Sequence, residues 1–281
     1  MCACNGVDTS LHRHHMTAIN MLALVSRSVA IRCFGMLAAV PFFPRLAPSE
    51  KLRRLIGIAG LKDLRYGGIF TRSSYTPWNG DECFQKTFEV IRKNTLVDEY
   101  RCHELWQLCG QLDALEPGDV LEVGVWRGGT GCLLALRCAA SSSTAFLCDT
   151  FSGVVNASSE DSAYVGGEHA DTSMETVANL VQHLGLTNVK ILQGIFPDAT
   201  GPEIAGRRFR LCHIDVDVYE SAAQTFEWVW PRLVRGGIVV FDDYGFYSCG
   251  GVTRFVDQMR GQRDRLVIYN VNGHAIVIKR D

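Results

Sequence analysis

From about residue 117 onward, short apolar runs alternate with stretches of helical periodicity. Residues 120–123, 145–149, 189–192, 210–215 and 238–242 are predicted strands, and residues 129–140, 173–184, 219–233 and 251–261 are predicted helices. Strands buried on both faces read as continuous apolar runs, so this alternation predicts a doubly wound, mostly parallel α/β sheet of Rossmann-like form. Residues 266–269 and 274–278 flank Asn272-Gly273, a turn signal for a hairpin. That pair predicts an antiparallel strand inserted near one edge of the sheet.

Upstream the pattern changes. Residues 51–116 are largely helical, with polar breaks at Tyr66-Gly67-Gly68 and at Thr76-Pro77-Trp78-Asn79-Gly80. Asp81 is placed to cap a helix carrying Phe84, Phe88 and Ile91 on one stripe, and a second helix over 100–112 carries Leu105, Leu108, Cys109 and Leu112. Glu116-Pro117-Gly118-Asp119 is a turn. The expected organisation is therefore an N-terminal extension over 1–50, a helical cap over 51–116 and a ligand-binding α/β domain over 117–281. The apolar cap also suggests a homodimer.

The extension is basic and apolar. It has no Asp or Glu between Asp8 and Glu50, but carries Arg13, Arg27, Arg32 and Arg45. Arg27 and Arg32 interrupt the apolar stretch over 21–43, which makes it a poor membrane span. Three readings stay open: a disordered or weakly helical tail, an organelle transit peptide, and an interfacial helix in peripheral contact with a membrane. His12, His14 and His15 read as incidental to a terminus.

Bulk composition narrows the classes. The chain is 47% hydrophobic and 21% charged, with a formal net charge of -2. That is an ordinary globular composition, and it supplies no basic field for nucleic acid. Eleven cysteines are scattered, and Cys132, Cys138, Cys148 and Cys212 fall inside apolar elements. The chain has no pair of Cys-x-x-Cys clusters, which argues against structural zinc. Free buried thiols indicate a reducing, cytoplasmic setting, with organelle or membrane-peripheral placement through 1–50 as the alternative.

The candidate chemistry sits at strand ends. Glu122-Val123-Gly124 through Gly128-Gly129-Thr130 follows the first strand and opens a helix. Glycines allow close backbone approach, and a helix start offers unpaired N–H groups. The G-x-G-x-x-G fingerprint fails because Trp126 stands at its second glycine. The loop instead suits an amino-acid-bearing nucleoside, whose ammonium needs an acceptor such as Glu122. Asp149 ends the second strand, where it can accept both ribose hydroxyls. These features suggest S-adenosylmethionine, with Glu122, Gly124, Trp126, Arg127, Gly128, Thr130, Asp149 and Ser152 as the cofactor-binding set.

Asp215 closes the fourth strand, and Asp242 and Asp243 close the fifth. Three carboxylates converging in the crevice would repel one another unless a hard cation lay between them, so they are candidate Mg²⁺ ligands. A divalent ion there would lower the pKa of an acceptor hydroxyl, and holding both reactants in contact can contribute about 7–11 kcal/mol. Asp215 is the candidate ligand and base. His169, on the long loop after the second strand, is a second candidate base. Glu220 and Ser221 could orient the acidic site from a helix start, and Tyr244, Phe246 and Tyr247 could wall the acceptor or simply pack.

The runs LEVGVWRGGTG, LCDTFSGV, HIDVDVYES and WPRLVRGGIVVFDDYG together resemble the macrocin O-methyltransferase (TylF-type) family, over roughly residue 75 to the C-terminus. The inserted antiparallel strand also suits a methyltransferase sheet better than a dehydrogenase one. The resemblance implies Mg²⁺- and S-adenosylmethionine-dependent methylation of sugar hydroxyls, with metal ligands at Asp215, Asp242 and Asp243 and cofactor acids at Glu122 and Asp149. The chain departs from the pattern at Val216, where many members carry Gly, and in its lid, GGEHADTS. The expected function is O-methyl transfer to a sugar or other vicinal-diol acceptor. The alternatives are a nicotinamide-dependent dehydrogenase and a non-catalytic, methyltransferase-like binding module.

Overall fold

The computed structural model describes residues 73–281. The extension over 1–50, its histidines and the cap as far as Tyr66-Gly67-Gly68 lie outside the described residues. Ser73–Asp281 forms one compact unit.

Two helices open it, α1 (Glu82–Ile91) and α2 (Glu99–Gln111). Asp81 caps α1 by accepting from the Phe84 N–H at 3.0 Å, and Asp98 caps α2 by accepting from Tyr100 and Arg101. The alternation follows: β1 (Asp119–Val123), α3 (Gly129–Cys138), β2 (Ala145–Asp149), α4 (Met174–His183), β3 (Val189–Gln193), β4 (Phe209–Ile214), α5 (Tyr219–Val229), β5 (Leu233–Phe241), α6 (Gly250–Gln258), β6 (Arg265–Tyr269) and β7 (Ala275–Lys279). Strand order is β3-β2-β1-β4-β5-β7-β6. The first five are mutually parallel, and β7 runs antiparallel between β5 and β6. This is a Rossmann-like sheet with the inserted antiparallel strand that the closing hairpin predicts.

Successive strand residues face opposite layers. Leu121, Cys212, Val239 and Val277 pack under Phe226 and Val229 of α5 and Val252 and Val256 of α6. Val120, Leu211, Val240 and Ile276 pack under α1, α2 and α3 through Phe84, Leu105 and Leu133. Each such side chain contributes about 1.5–3 kcal/mol on burial. Because α1 and α2 close this second layer, residue 116 marks where the alternation starts and not where the packing ends. Helix α5 stops four residues short of its expected end, and Trp230–Arg232 forms a 3-10 turn around Pro231. Strand β5 then begins at Leu233, not at 238. Gly236 (φ +74) and Gly237 lie inside β5, where its pairing with β4 is irregular. Among the described residues, no helix is long and apolar enough to cross a membrane.

Candidate functional site

A cavity of about 300 Å³ opens where β1, β2, β4 and β5 end. Its lining includes Gly124, Trp126, Thr130, Asp149, His169, Asp215, Asp242 and Asp243. This is the crevice at the carboxyl ends of the strands in which open α/β sheets bind ligands.

One side of the cavity is built around Asp149. Its Oδ2 accepts from the Val125 N–H at 2.7 Å and the Trp126 N–H at 2.8 Å, and its Oδ1 accepts from the Phe151 N–H at 2.6 Å. One carboxylate thereby fixes both loops that leave β1 and β2. Gly124 has φ +88, and a Cβ there would fall 1.7 Å from the Asp215 carbonyl oxygen. Only glycine allows the loop to pass that close to the end of β4. The rest of the predicted cofactor set divides. Thr130 lines the cavity, but Arg127 does not, since it pairs with Asp171 at 2.6 Å and stacks on the Trp126 ring. Gly128 serves packing, because a Cβ would meet Val177 at 2.8 Å. Ser152 is exposed and outside the lining, with its N–H donating to Thr150. Glu122 is fully buried, lies outside the lining, and its Oε1 stands 2.9 Å from His213 Nδ1. Direct acceptance of a ligand's ammonium group by Glu122 therefore has no route in this geometry.

The other side is acidic. Carboxylate oxygens of Asp215, Asp242 and Asp243 lie within 4.8 Å of one another. The sequence argument left them with no counter-charge, yet one is present. Arg101 of α2 donates from Nη1 to both oxygens of Asp242 at 2.7 Å, lies 3.6 Å from Asp243, and is held through Nε by Asp98. Burial would raise the Asp242 carboxyl, but His274 and Arg101 outweigh it and hold it well below the usual range. Burial, then Asp242, pushes Asp215 well above that range, and the same two causes push Asp243 up to about 8. Asp215 and Asp243 therefore hold protons that a further cation in the group would displace. The remaining donors are oxygens, which suit a hard divalent ion, so these residues fit Mg²⁺.

His169 reaches the cavity from the lid, where Glu168 accepts from the Val165 and Gly166 N–H groups. Tyr164 also lines it and donates to Asp217 at 2.7 Å. Ser221 and Phe246 are lining residues, Phe246 lying under Arg101 at 5.0 Å. Tyr244 is buried with its hydroxyl on Asp257, Tyr247 is exposed, and Glu220 bonds to Gln224 on the surface. Trp126, His169, Asp217 and Asp243 all adopt positive φ and all line the cavity. Left-handed backbone at non-glycine residues costs about 1–3 kcal/mol each and clusters where function over-determines geometry. Sequence reasoning missed Arg101, Tyr164 and His274, because none carries a local signal.

Comparison with known proteins identifies the family. The chain is 30% identical over 166 residues to mycinamicin III 3''-O-methyltransferase of Micromonospora griseorubida, a match covering 54% of this chain and 65% of that one. It is 32% identical over 145 residues to the 8-demethyl-8-(2,3-dimethoxy-alpha-L-rhamnosyl)-tetracenomycin-C 4'-O-methyltransferase of Streptomyces olivaceus, covering 47% and 55%. The chain spans between 55% and 65% of the length of the curated relatives it matches. Among solved structures it is similar to the O-methyltransferase NovP, at 25% identity and TM-score 0.57 over 66% of this chain and 82% of that one. CalS11, a calicheamicin methyltransferase, shares the fold at 18% identity and TM-score 0.55 over 76% and 98%. The family model described as macrocin-O-methyltransferase (TylF) matches residues 93–276. The chain belongs to that family.

Proposed function

We propose that this protein is an S-adenosylmethionine-dependent O-methyltransferase that methylates a hydroxyl of a sugar or other vicinal-diol acceptor, assisted by Mg²⁺. One observation carries the reading: the loops tied to Asp149 and the acidic group of Asp215, Asp242 and Asp243 open into a single cavity. A relative named as the 4'-O-methyltransferase of a rhamnosyl-tetracenomycin supports the acceptor class.

The chain's own residues have definable parts. Asp149 orients the loop backbone and, with two lone pairs on each oxygen, can still accept ribose hydroxyls. Thr130 and Trp126 border the same space. Asp215, Asp242 and Asp243 would hold the cation, which when bound would polarise the acceptor's hydroxyl groups. Asp215 is the base by position, and His169 on the lid is the second group able to take a proton. The lid and Phe246 shield the site from water.

The deciding experiment is a screen of sugar and diol acceptors with labelled methyl donor, with Mg²⁺ and with chelator. Transfer that needs a divalent ion and is lost in Asp215→Asn supports the reading. Transfer indifferent to chelation removes the metal, and absence of S-adenosylmethionine binding by calorimetry removes the donor. A nicotinamide dehydrogenase is disfavoured by Trp126, and titration with nicotinamide dinucleotide tests it. A binding module without catalysis would bind the donor and transfer nothing.

A further inference from the structure

Behind the acidic group, between the sheet and α2, lies a second cluster that methyl transfer does not use. His213 of β4 and His274, the residue before β7, are both fully buried, with ring centroids 5.9 Å apart. Each ring is engaged at Nδ1 by a carboxylate. Glu122 Oε1 lies 2.9 Å from His213, and Glu104 Oε2 lies 2.7 Å from His274. Neither Nε2 atom has a hydrogen-bond partner, although His274 Nε2 lies at ion-pair distance, 2.9 Å, from Asp242 Oδ1. One ligand atom from each of His213, Asp242 and His274 falls within 4.8 Å of the others.

An unsatisfied buried polar atom is costly, and two of them on neighbouring rings need an explanation. Charge adds to the case. Glu104, Glu122 and Asp242 surround the rings, and the neighbouring guanidinium, Arg101, is already shared with Asp98. A metal-binding histidine characteristically has its other ring nitrogen on a carboxylate, which fixes the tautomer and raises ligand basicity. Here both histidines are arranged in that way, and the arrangement leaves Nε2 of each for an ion.

We propose that His213, Asp242 and His274 form a site for a borderline-soft divalent ion of the zinc class. Two imidazoles and one carboxylate favour Zn²⁺ or a similar first-row ion over Mg²⁺, which prefers an all-oxygen shell. Thiol spacing could not reveal such a site, because it contains no cysteine. Its ligands come from β4, the end of β5 and the start of β7, with Glu104 of α2 in support. Occupancy would tie these elements together behind Asp215 and Asp243. The inference does not rest on methyl transfer, and Asp242, with two oxygens, belongs to both groups.

The test is a Zn²⁺ titration of the full chain by calorimetry, after stripping with chelator, with bound metal counted by mass spectrometry. Every sample carries His12→Ala, His14→Ala and His15→Ala, so that the terminal imidazoles do not contribute. We expect about one zinc per chain, in keeping with a single three-ligand site. Glu104→Gln should weaken binding about 10- to 100-fold, and His213→Gln or His274→Gln by more than that. Co²⁺ in place of Zn²⁺ should give visible ligand-field absorption that the histidine variants lose. Zinc binding that persists in Asp215→Asn while divalent-dependent turnover is lost supports two separate sites. No binding in the starting protein, or unchanged affinity in both histidine variants, overturns the proposal. If those variants fail to fold by circular dichroism, unchanged affinity in Glu104→Gln overturns it instead.

Discussion

The two sides of the cavity are built in opposite ways. Around Asp149 the carboxylate is satisfied by backbone N–H groups of Val125, Trp126 and Phe151, all within 24 residues in the chain. Around Asp242 it is held by side chains, Arg101 of α2, 141 residues away, through hydrogen bonds and His274 from before β7 at ion-pair distance. The first side is local and backbone-based, so turn chemistry specifies it. The second is assembled by tertiary packing, and each carboxylate there depends on charges brought from other elements. A buried charge held by distant side chains is costly to disturb, whereas one held by a loop mainly fixes that loop.

The sharpest way to break this comparison is Arg101→Met. The Arg101 side chain is 7% exposed, and its loss leaves Asp242 buried at 3% exposure beside Asp243. Removing one partner of a buried pair costs about 3–5 kcal/mol, so urea unfolding should show a loss of that size. A loss below about 1 kcal/mol, the value of a surface pair, would mean that Arg101 does not neutralise the acidic side. Gly124→Ala tests the boundary between the two sides. Left-handed strain and collision with the Asp215 carbonyl together should cost at least about 2 kcal/mol in the same assay.

The difference in construction also explains what could be read from the chain. The strand ends at Asp149, Asp215 and Asp242 were legible because apolar runs of strand length stop at an acid, and position at a strand end fixes where the side chain must lie. The Asn272-Gly273 turn likewise gave the inserted strand β7. Arg101 was not legible. On α2 it is one polar residue of a helix face, and nothing nearby in sequence announces a partner on β5. The histidines are similar: His213 read as part of an apolar run and His274 as a hairpin residue, and only the topology brings their rings together. Glu122 failed in the other direction. It sits at the motif position of a ligand contact, but strand alternation turns it toward α3, where a Cβ on Gly131 would lie 2.5 Å from its Oε2.

On the local side the expected effect is smaller. Asp149→Asn keeps one acceptor oxygen for three N–H donors, so at least one must go unpaired or rotate. Losing a hydrogen bond to a charged group costs about 1.5–3 kcal/mol, which is roughly 10- to 100-fold in donor affinity by calorimetry. If donor affinity holds while stability falls, Asp149 acts on the loops alone and the ribose role is excluded.

The smallest effect belongs to the latch between the cofactor loop and the lid. Asp171 accepts from the Trp126 indole at 2.9 Å and pairs with Arg127 at 2.6 Å, with side-chain exposures of 62% and 35% for Asp171 and Arg127. Exposed pairs of this kind add little to global stability, so Asp171→Ala should leave the unfolding midpoint where it is. Its consequence should be local. Cutting both contacts leaves the segment that carries His169 tied to the loop that Asp149 holds only through the Asp171 carbonyl, which accepts from Arg127 Nε, and the Thr172 hydroxyl, which donates to the Trp126 carbonyl. Amide exchange over 166–172 should therefore quicken while the core strands stay protected. A shifted midpoint would show that the lid is part of the cooperative fold. A local change alone would mean that the backbone-built side of the cavity is rigid and its cover is free to open and close over it.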